Sequence, residues 1–236
     1  MSSDSLSYIL TEPSIRNIIK KTSFMGIGIT FRQISQYRLM KRWEQEFGFT
    51  SVLEAPYDHA TLGVDGVIFS CPAESRKSIE DVPNNSYDMV WNFGFLQRSP
   101  SLIFEMKRVA QRYVAAFVPN CSNPGAFIHK LYHFIRRTPC THPERGYREY
   151  MALSGLTYLF ESAGLEPIER GYIDIPPWPD TVVTLQELLG ASQRRALPIR
   201  VNFTDFIWLM QFEDLLKIRK VFAHHCYILA RKPKRP

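Results

Sequence analysis

Histidine and cysteine side chains between positions 129 and 142 have types and spacing that suit two kinds of chemistry. His129 and His133 are four residues apart, so on a helix they would lie on one face. Cys140 and His142 follow after a short loop, and together these four side chains have the composition of a tetrahedral zinc site. The segment has no Cys-x-x-Cys pair, so we expect no metal. We expect instead that His129 faces a substrate and acts as a general base, because histidine titrates near neutral pH.

His59 is a second candidate for the general base, because it directly follows Asp58 in a segment rich in turn-forming residues. Histidines that are packed or exposed without any chemistry are commoner than either of these roles, and that alternative stays open for every one of them. His224 and His225 stand just before an apolar run and are expected to be structural.

Polar and aromatic side chains also follow two apolar runs that have the composition of strands. Glu54 ends the first run, and Trp91-Asn92-Phe93-Gly94 ends the second. The carboxyl ends of parallel strands form the edge of a sheet where ligands bind. We therefore expect Glu54 and the segment 91–94 to contact a ligand. The alternatives are a carboxylate that caps the next turn and ordinary buried strand residues.

Hydrophobic periodicity and turn residues predict the elements that would position these side chains. The predicted helices cover parts of 5–47, with Gly48 ending the last of them, and then 126–136, 150–163 and 185–210. The predicted strands are 51–54, 64–70, 165–174 and 226–232, and a strand–helix–strand unit covers 87–119. Residues 71–86 are polar and contain proline, so we predict a loop or a short helix there.

Three short motifs in this arrangement resemble one known family. They are Ser86-Tyr87-Asp88-Met89-Val90, Glu105-Met106-Lys107-Arg108-Val109 and Pro119-Asn120. In this order they resemble the carboxyl half of class I S-adenosylmethionine-dependent methyltransferases, especially the small-molecule type 11 group. The strand after Gly164 and the final Tyr-Ile-Leu-Ala-Arg-Lys run are similar to the end of the same fold.

The resemblance implies a fold and a domain organisation. The fold is α/β, with a Rossmann-like, mostly parallel sheet, an antiparallel last strand and helices on both faces. An N-terminal helical segment would cover 1–50. The methyltransferase-like domain would cover 51–236, with a helical insertion at about 181–222.

The resemblance also implies S-adenosylmethionine as the cofactor and methyl transfer to a small-molecule, lipid-linked or glycan-linked acceptor. His129 and His59 are the catalytic candidates. The cofactor-binding candidates are Glu54, Ala55, Tyr57, Asp58, Glu74, Trp91, Asn92, Phe93 and Gly94. The substrate-binding candidates are Asn123, His133, His142, Asp174 and Trp178.

The sequence departs from the family after the first strand. The family has a glycine-rich turn there, and this chain has Pro56, Asp58 and Ala60 at the corresponding positions. Proline has no N–H and cannot adopt a positive φ. The stretch from Glu54 to Asp88 is also too short for two helices and two strands. A second hypothesis therefore stays open, in which the protein is a catalytically inactive relative that binds a catalytic methyltransferase and stabilises or activates it. The chain would then form a heterodimer with that enzyme. A homodimer of the chain itself also stays open.

Composition limits the remaining classes. The chain has 236 residues, 45% hydrophobic and 22% charged, which is ordinary for a globular protein. Its net charge of +6 is spread along the chain, so we do not expect a nucleic-acid partner, whereas peripheral membrane contact stays open for the aromatic stretch 203–222. The four cysteines form no paired framework, and the first residues do not resemble a signal peptide, so we expect free thiols and a cytoplasmic location.

Overall fold

The computed structural model describes residues 13–22, 27–56, 69–123, 134–135, 137, 151–174 and 219–233. The helices are α1 (Pro13–Thr22), α2 (Ile27–Phe47), α3 (Leu102–Val109), α4 (Leu153–Ser162) and α5 (Arg219–Phe222). The strands are β1 (Val52–Glu54), β2 (Ala73–Ser75), β3 (Tyr87–Phe93), β4 (Ala110–Pro119), β5 (Glu166–Ile173) and β6 (His225–Arg231).

The described strands form one six-stranded sheet with the order β2-β1-β3-β4-β6-β5. β1 is parallel to both β2 and β3, β3 is parallel to β4, and β6 is antiparallel to β4. The predicted α/β class, with a mostly parallel sheet and an antiparallel last strand, is confirmed. The strand–helix–strand unit is confirmed as well, and β4 begins at Ala110, earlier than the apolar run suggested.

The prediction for the stretch between β1 and β3 needs a correction. Residues 64–68 of the predicted strand lie outside the described residues, and Phe69 and Ser70 are not in a strand. The strand of this region is instead β2, which lies in the segment that we predicted to be a loop or a short helix. It is only three residues long, with its first residue exposed, so it lacks the apolar run on which the strand prediction rested.

The core lies on both faces of the central strands. On one face, α3 and α4 contribute Ile103, Met106, Leu156 and Phe160 to a buried cluster with strand residues such as Val90. On the other face, Trp43 of α2 contacts Phe117 at 5.9 Å and Tyr227 at 5.6 Å between ring centroids. Strands buried on both faces carry continuous apolar runs, which is why β4 and β6 could be predicted from the sequence.

The Glu-Met-Lys-Arg-Val motif of α3 has a structural explanation. Arg108 donates hydrogen bonds to acceptors in the loop before β3, which are the carbonyl oxygens of Ile79 (3.0 Å), Glu80 (3.3 Å) and Val82 (2.6 Å) and the Asn84 side chain (2.8 Å). Lys107 donates to the carbonyl oxygen of Ala163 at 2.6 Å, at the carboxyl end of α4. A cation satisfies the last carbonyls of a helix in this position. The two basic residues therefore fix a loop and a helix end, and neither lies at the sheet edge where ligands were predicted.

The chain contains two compact units. The first comprises Met1–Arg38, Ser122–Thr138 and Ile173–His224, and the second comprises Leu39–Cys121, Pro139–Tyr172 and His225–Pro236. The predicted helical insertion lies mostly outside the described residues, which include only its end, at α5. Within the described residues, no helix is both long enough and apolar enough to cross a bilayer.

Candidate functional site

Glu54 is the last residue of β1 and has a buried carboxylate at the carboxyl edge of the sheet. It is 1% exposed, and its Oε2 accepts a hydrogen bond from the Ser75 hydroxyl at 3.1 Å. Its register neighbours are Ser75 on β2 and Trp91 on β3. Because register neighbours in a sheet point to the same face, the Glu54 carboxylate and the Trp91 indole lie side by side on the face that α2 covers. A buried carboxylate is costly unless it has hydrogen-bonding or charged partners, and the Ser75 hydroxyl is one such partner.

Asn92 organises the loops that follow β1 and β3. Its Nδ2 donates to the carbonyl oxygens of Ala55 at 3.4 Å and Pro56 at 3.2 Å. Its Oδ1 accepts from the backbone N–H groups of Phe95 at 3.1 Å and Leu96 at 3.2 Å. Both halves of the amide are thus committed to backbone groups. The roles of Asn92 and Ala55 in cofactor binding stay predictions. Asn92 also has a structural role, which uses the full hydrogen-bonding capacity of its amide.

Gly94 makes the bend at the end of β3. Its φ is +74°, a conformation that residues with a Cβ rarely adopt, and a Cβ built on it would meet no described atom within 4 Å. Its N–H donates to Phe117 O at 2.9 Å, which ties the bend to β4. Among the described residues, no atom prevents a ligand from approaching the backbone closely at Gly94.

Gln97 lies three residues after Gly94 and is 3% exposed. Its Nε2 donates to the carbonyl oxygen of Gly94 at 2.7 Å, which fixes the orientation of the amide, because a carbonyl only accepts. Its Oε1 is buried and has no hydrogen-bond partner among the described residues. The indole N–H of Trp91 is likewise buried, with no partner there. Buried polar groups are usually satisfied, so each of these two atoms is expected to have a partner outside the described residues.

Aromatic rings line the same part of the sheet. Trp91 contacts Phe117 edge to face at 5.9 Å, and Phe93 lies 4.9 Å from His225 between ring centroids. Phe93 is 3% exposed, so it contributes to the wall behind the edge rather than to its surface. These rings exclude water from the apolar side of the edge, which strengthens electrostatic interactions there.

Glu74 lies in β2, next to the strand end, and forms an ion pair with Arg76 at 2.8 Å. β2 pairs with β1, so Glu74 lies close to the carboxyl edge where the cofactor-binding candidates were predicted. No measured contact of Glu74 tests that role, and it remains a prediction.

Asn123 and Asp174, two of the predicted substrate-binding residues, lie together in the first compact unit. Asn123 Nδ2 donates to Phe222 O at 3.1 Å, and Asp174 O accepts from the His224 N–H at 2.9 Å. The Asp174 carboxylate lies 3.5 Å from His224 Nδ1, and both side chains are buried. Asp174 has a φ of +61°, which is uncommon for a residue other than glycine. Sequence reasoning treated His224 as structural and missed this pairing.

The remaining candidates lie outside the described residues. They are Tyr57, Asp58, His59, His129, His133, His142 and Trp178. Their roles stay predictions. Among the described residues, no group of three or more His, Cys, Asp or Glu side chains has an arrangement that could hold a metal ion.

The cysteines near the carboxyl edge differ in their environments. Cys226 of β6 is buried, and burial, with a smaller contribution from the charge of Cys121, raises the pKa of its thiol to about 12. Its Sγ lies 3.7 Å from the carbonyl oxygen of Met151, to which the Cys121 N–H also donates at 3.3 Å. Cys121 itself is exposed. Cys226 is therefore a neutral packing group at physiological pH and not a nucleophile.

Comparison with known proteins adds the fold relationship. No model of a known protein family matches the sequence, and no curated protein matches it. Among solved structures, the chain is similar to magnesium protoporphyrin IX methyltransferase of Synechocystis PCC 6803 with bound S-adenosylhomocysteine, with a TM-score of 0.51, 10% identity and 93% of each chain covered. It is also similar to an S-adenosylmethionine-dependent methyltransferase of Thermotoga maritima, described as a possible histamine N-methyltransferase, with a TM-score of 0.50, 10% identity, and 92% of this chain and 99% of that chain covered. At this identity the likeness concerns the fold alone, and that fold is the one the sequence motifs predicted.

Proposed function

We propose that this chain, which has the class I S-adenosylmethionine-dependent methyltransferase fold, binds S-adenosylmethionine at the carboxyl edge of β1 and β3. It transfers the methyl group to a small-molecule, lipid-linked or glycan-linked acceptor. The observation that carries the proposal is a combination of three features at one edge. They are the buried Glu54 carboxylate, the bend at Gly94 with no described atom beside its Cα, and the buried polar atoms of Trp91 and Gln97 that have no hydrogen-bond partner among the described residues.

The residues present fit a cofactor of this kind. S-adenosylmethionine supplies a methyl group on a positively charged sulfonium, which an acceptor oxygen, nitrogen or carbon attacks in line. Glu54 offers a negative charge to a cationic ligand in a region of low dielectric constant. Gly94 leaves room for the ligand against the backbone, and the rings of Trp91 and Phe93 exclude water. The main contribution of the protein is alignment of the two reactants.

Proton removal is assigned to His129 or His59 where the acceptor is a hydroxyl. These assignments come from the sequence. The variant that lacks the base, either His129→Ala or His59→Ala, should keep its affinity for S-adenosylhomocysteine. It should lose transfer of radiolabelled methyl to extracted small molecules, lipids or glycans. Normal transfer by both variants would remove the histidine bases from the mechanism.

Calorimetric titration with S-adenosylhomocysteine tests the proposed cofactor. We expect a dissociation constant in the micromolar range, and the ligand at a hundred times that concentration should raise the free energy of unfolding by about 2.7 kcal/mol. Glu54→Gln should weaken binding by roughly tenfold, since it removes the charge and keeps a hydrogen-bond acceptor for Ser75. Glu46→Gln is the matched control, because Glu46 is exposed on α2. Absence of binding and of any thermal shift at millimolar ligand would refute the proposal.

One observation favours the second function, a catalytically inactive relative that stabilises or activates a catalytic methyltransferase. Asn92 joins the end of β3 to the carbonyl oxygens of Ala55 and Pro56, and Pro56 has no N–H to offer a ligand. For that function we expect no ligand binding, together with recovery of a methyltransferase on affinity purification from the source cell. A chain that binds S-adenosylhomocysteine and transfers methyl groups alone would exclude it.

A further inference from the structure

The strand β5 lies at the end of the sheet, and no described strand covers its outer side. In the strand order, β6 is its neighbour on one side, and none of the other described strands lies beyond it. β5 has 8 residues, whereas an average strand has about 5–6. An edge strand of this length presents a row of backbone N–H and C=O groups with which another chain can pair.

The side chains of β5 alternate between the two faces of the sheet. Glu169 bonds to a side chain of α2, whereas Arg170 donates to Thr157 Oγ1 of α4 at 3.3 Å. Because the period of a strand is two, Glu166 and Ile168 lie on the same face as Arg170. All three side chains are exposed, and Ile168 is 39% exposed. The face towards α4 therefore carries a negative charge, an apolar side chain and a positive charge, in that order.

This order of charges is complementary to itself when the strand direction is reversed. In an antiparallel pair of two β5 strands centred on Ile168, Glu166 of each copy lies opposite Arg170 of the other. Ile168 then packs against Ile168 of the other copy. Opposite charges stabilise a strand pair at such positions, and like charges destabilise it. A pair centred on Glu169 or on Arg170 would place like charges opposite each other, so the charges favour the pair centred on Ile168.

Pro167 is compatible with this register, although it has no N–H. A proline in an edge strand turns its nitrogen to the open side, because there it removes no bond of the existing sheet. In the pair centred on Ile168, Pro167 lies opposite Glu169 of the other copy. The Pro167 carbonyl oxygen accepts from the Glu169 N–H, and the second bond of that residue pair is missing. Since this happens twice across the two-fold axis, we expect a reversible dimer of modest affinity.

We propose that the open edge of β5 binds β5 of a second copy of this chain, in an antiparallel pair centred on Ile168. The two sheets then form one continuous sheet, with α4 of both copies on the same side of it. The interface is isologous, since the same residues face each other across the two-fold axis. The inference does not rest on the proposed function, because β4 and β6 separate β5 from the strand ends at which the cofactor is proposed.

Sedimentation equilibrium of the full chain measures the dimer, with a dissociation constant expected in the micromolar range. Glu166→Arg and Arg170→Glu should each weaken the dimer by about tenfold, because each places like charges opposite each other. The variant with both substitutions should regain the affinity of the unaltered chain to within about twofold, because it exchanges the charges and keeps opposite signs together. Glu80→Arg is the matched control, since Glu80 is exposed in the loop before β3, and it should leave the affinity unchanged. Far-ultraviolet circular dichroism shows whether each variant is folded.

Disulfide crosslinking tests the register. Residues that face each other at a non-hydrogen-bonded position of an antiparallel pair have Cα atoms about 4.5 Å apart, a separation that a disulfide can bridge. Ile168→Cys should therefore form a disulfide-linked dimer when oxidised glutathione is added, seen as a doubled mass on a non-reducing gel. The controls are the unaltered chain and Phe104→Cys, because Phe104 is also an exposed apolar residue but lies on α3, which packs on β3 and β4. Both controls should stay monomeric on the gel.

A chain that stays monomeric at submillimolar concentration would overturn the inference, whether or not it binds another protein. A dimer that neither charge reversal weakens would also overturn it, because that dimer would form through another surface. Crosslinking of Phe104→Cys as readily as Ile168→Cys would have the same meaning. Loss of the dimer in both single variants, with recovery in the double variant, would support the proposed pair.

Discussion

Two buried tryptophans, Trp43 of α2 and Trp91 of β3, should lose different amounts of stability on the same substitution. Trp43 Nε1 donates to the Glu169 carboxylate at 2.8 Å, whereas Trp91 Nε1 is buried with no partner among the described residues. Both side chains are at most 1% exposed, and both contact the Phe117 ring. Replacing either with phenylalanine therefore removes the same atoms from similar surroundings, and the two variants differ mainly in the fate of one N–H group.

The expected magnitudes follow from that difference. Trp43→Phe loses a hydrogen bond to a charged group, worth about 1.5–3 kcal/mol. The lower half of this range applies, because the Glu169 side chain is 22% exposed and keeps its bond from the Tyr227 hydroxyl. Trp91→Phe instead removes an unsatisfied donor and recovers about 1–3 kcal/mol. The loss of volume destabilises both variants alike and cancels in the comparison. Trp43→Phe should therefore be less stable than Trp91→Phe by about 4 kcal/mol.

Urea unfolding followed by far-ultraviolet circular dichroism measures this difference without relying on tryptophan fluorescence. Saturation with S-adenosylhomocysteine should reduce the difference in free energy of unfolding between the two variants. With ligand bound, the Trp91 N–H has an acceptor, and Trp91→Phe loses that hydrogen bond. Equal destabilisation of the two variants without ligand would refute the reasoning, because it would mean that the Trp91 N–H is satisfied in solution.

Three further predictions concern other parts of the second compact unit. Gly94→Ala and Gly48→Ala should each lower the free energy of unfolding by about 1 kcal/mol, because both glycines have positive φ and no described atom within reach of a Cβ. Only Gly94→Ala should weaken the binding of S-adenosylhomocysteine. Equal affinities of the two variants in calorimetry would contradict a ligand at Gly94. Arg108→Lys should lower the free energy of unfolding measured in urea by about 2 kcal/mol, since lysine cannot reach the same set of acceptors. Arg98→Lys is the control, because Arg98 is exposed, and it should change this free energy little. Similar free energies of unfolding for the two variants would contradict the role of Arg108 in fixing the loop. Because the pKa of Cys226 is raised to about 12, its contribution to stability is complete below pH 9 and is lost as pH rises towards 12. Between pH 7 and pH 10, the free energy of unfolding in urea should fall by roughly 1–2 kcal/mol more for the unaltered chain than for Cys226→Ala. An equal fall for the two proteins would show that the thiol titrates normally.

The difference between the two proposed functions depends on a few residues of one edge. Glu54 and Gly94 favour a ligand there. Asn92, whose amide is already bonded to the carbonyl oxygens of Ala55 and Pro56, and Pro56, which has no N–H, favour the inactive relative. The fold relationship to methyltransferases is compatible with both functions. Titration with S-adenosylhomocysteine separates them directly, because only the enzyme requires the ligand.

Local patterns in the sequence determined the strand–helix–strand unit of β3, α3 and β4, the helix ends at Gly48 and Gly164, and the final strand. These follow from hydrophobic periodicity and from residues that suit positive φ, which act within a few residues along the chain. The edge position of Glu54 and of the segment after β3 could also be predicted, since both follow strands.

Only the tertiary structure decided where β2 lies and what the side chains of the β3 loop contact. β2 is three residues of ordinary composition, and pairing with β1 makes it a strand. The side-by-side position of Glu54 and Trp91 depends on the register between strands that are distant in sequence. The tertiary structure also decided which backbone groups bond to the Asn92 amide, and it left Gln97 Oε1 and Trp91 Nε1 without a partner among the described residues. Hydrogen bonds require an approach to about 3 Å, and the sequence pattern does not specify positions at that scale.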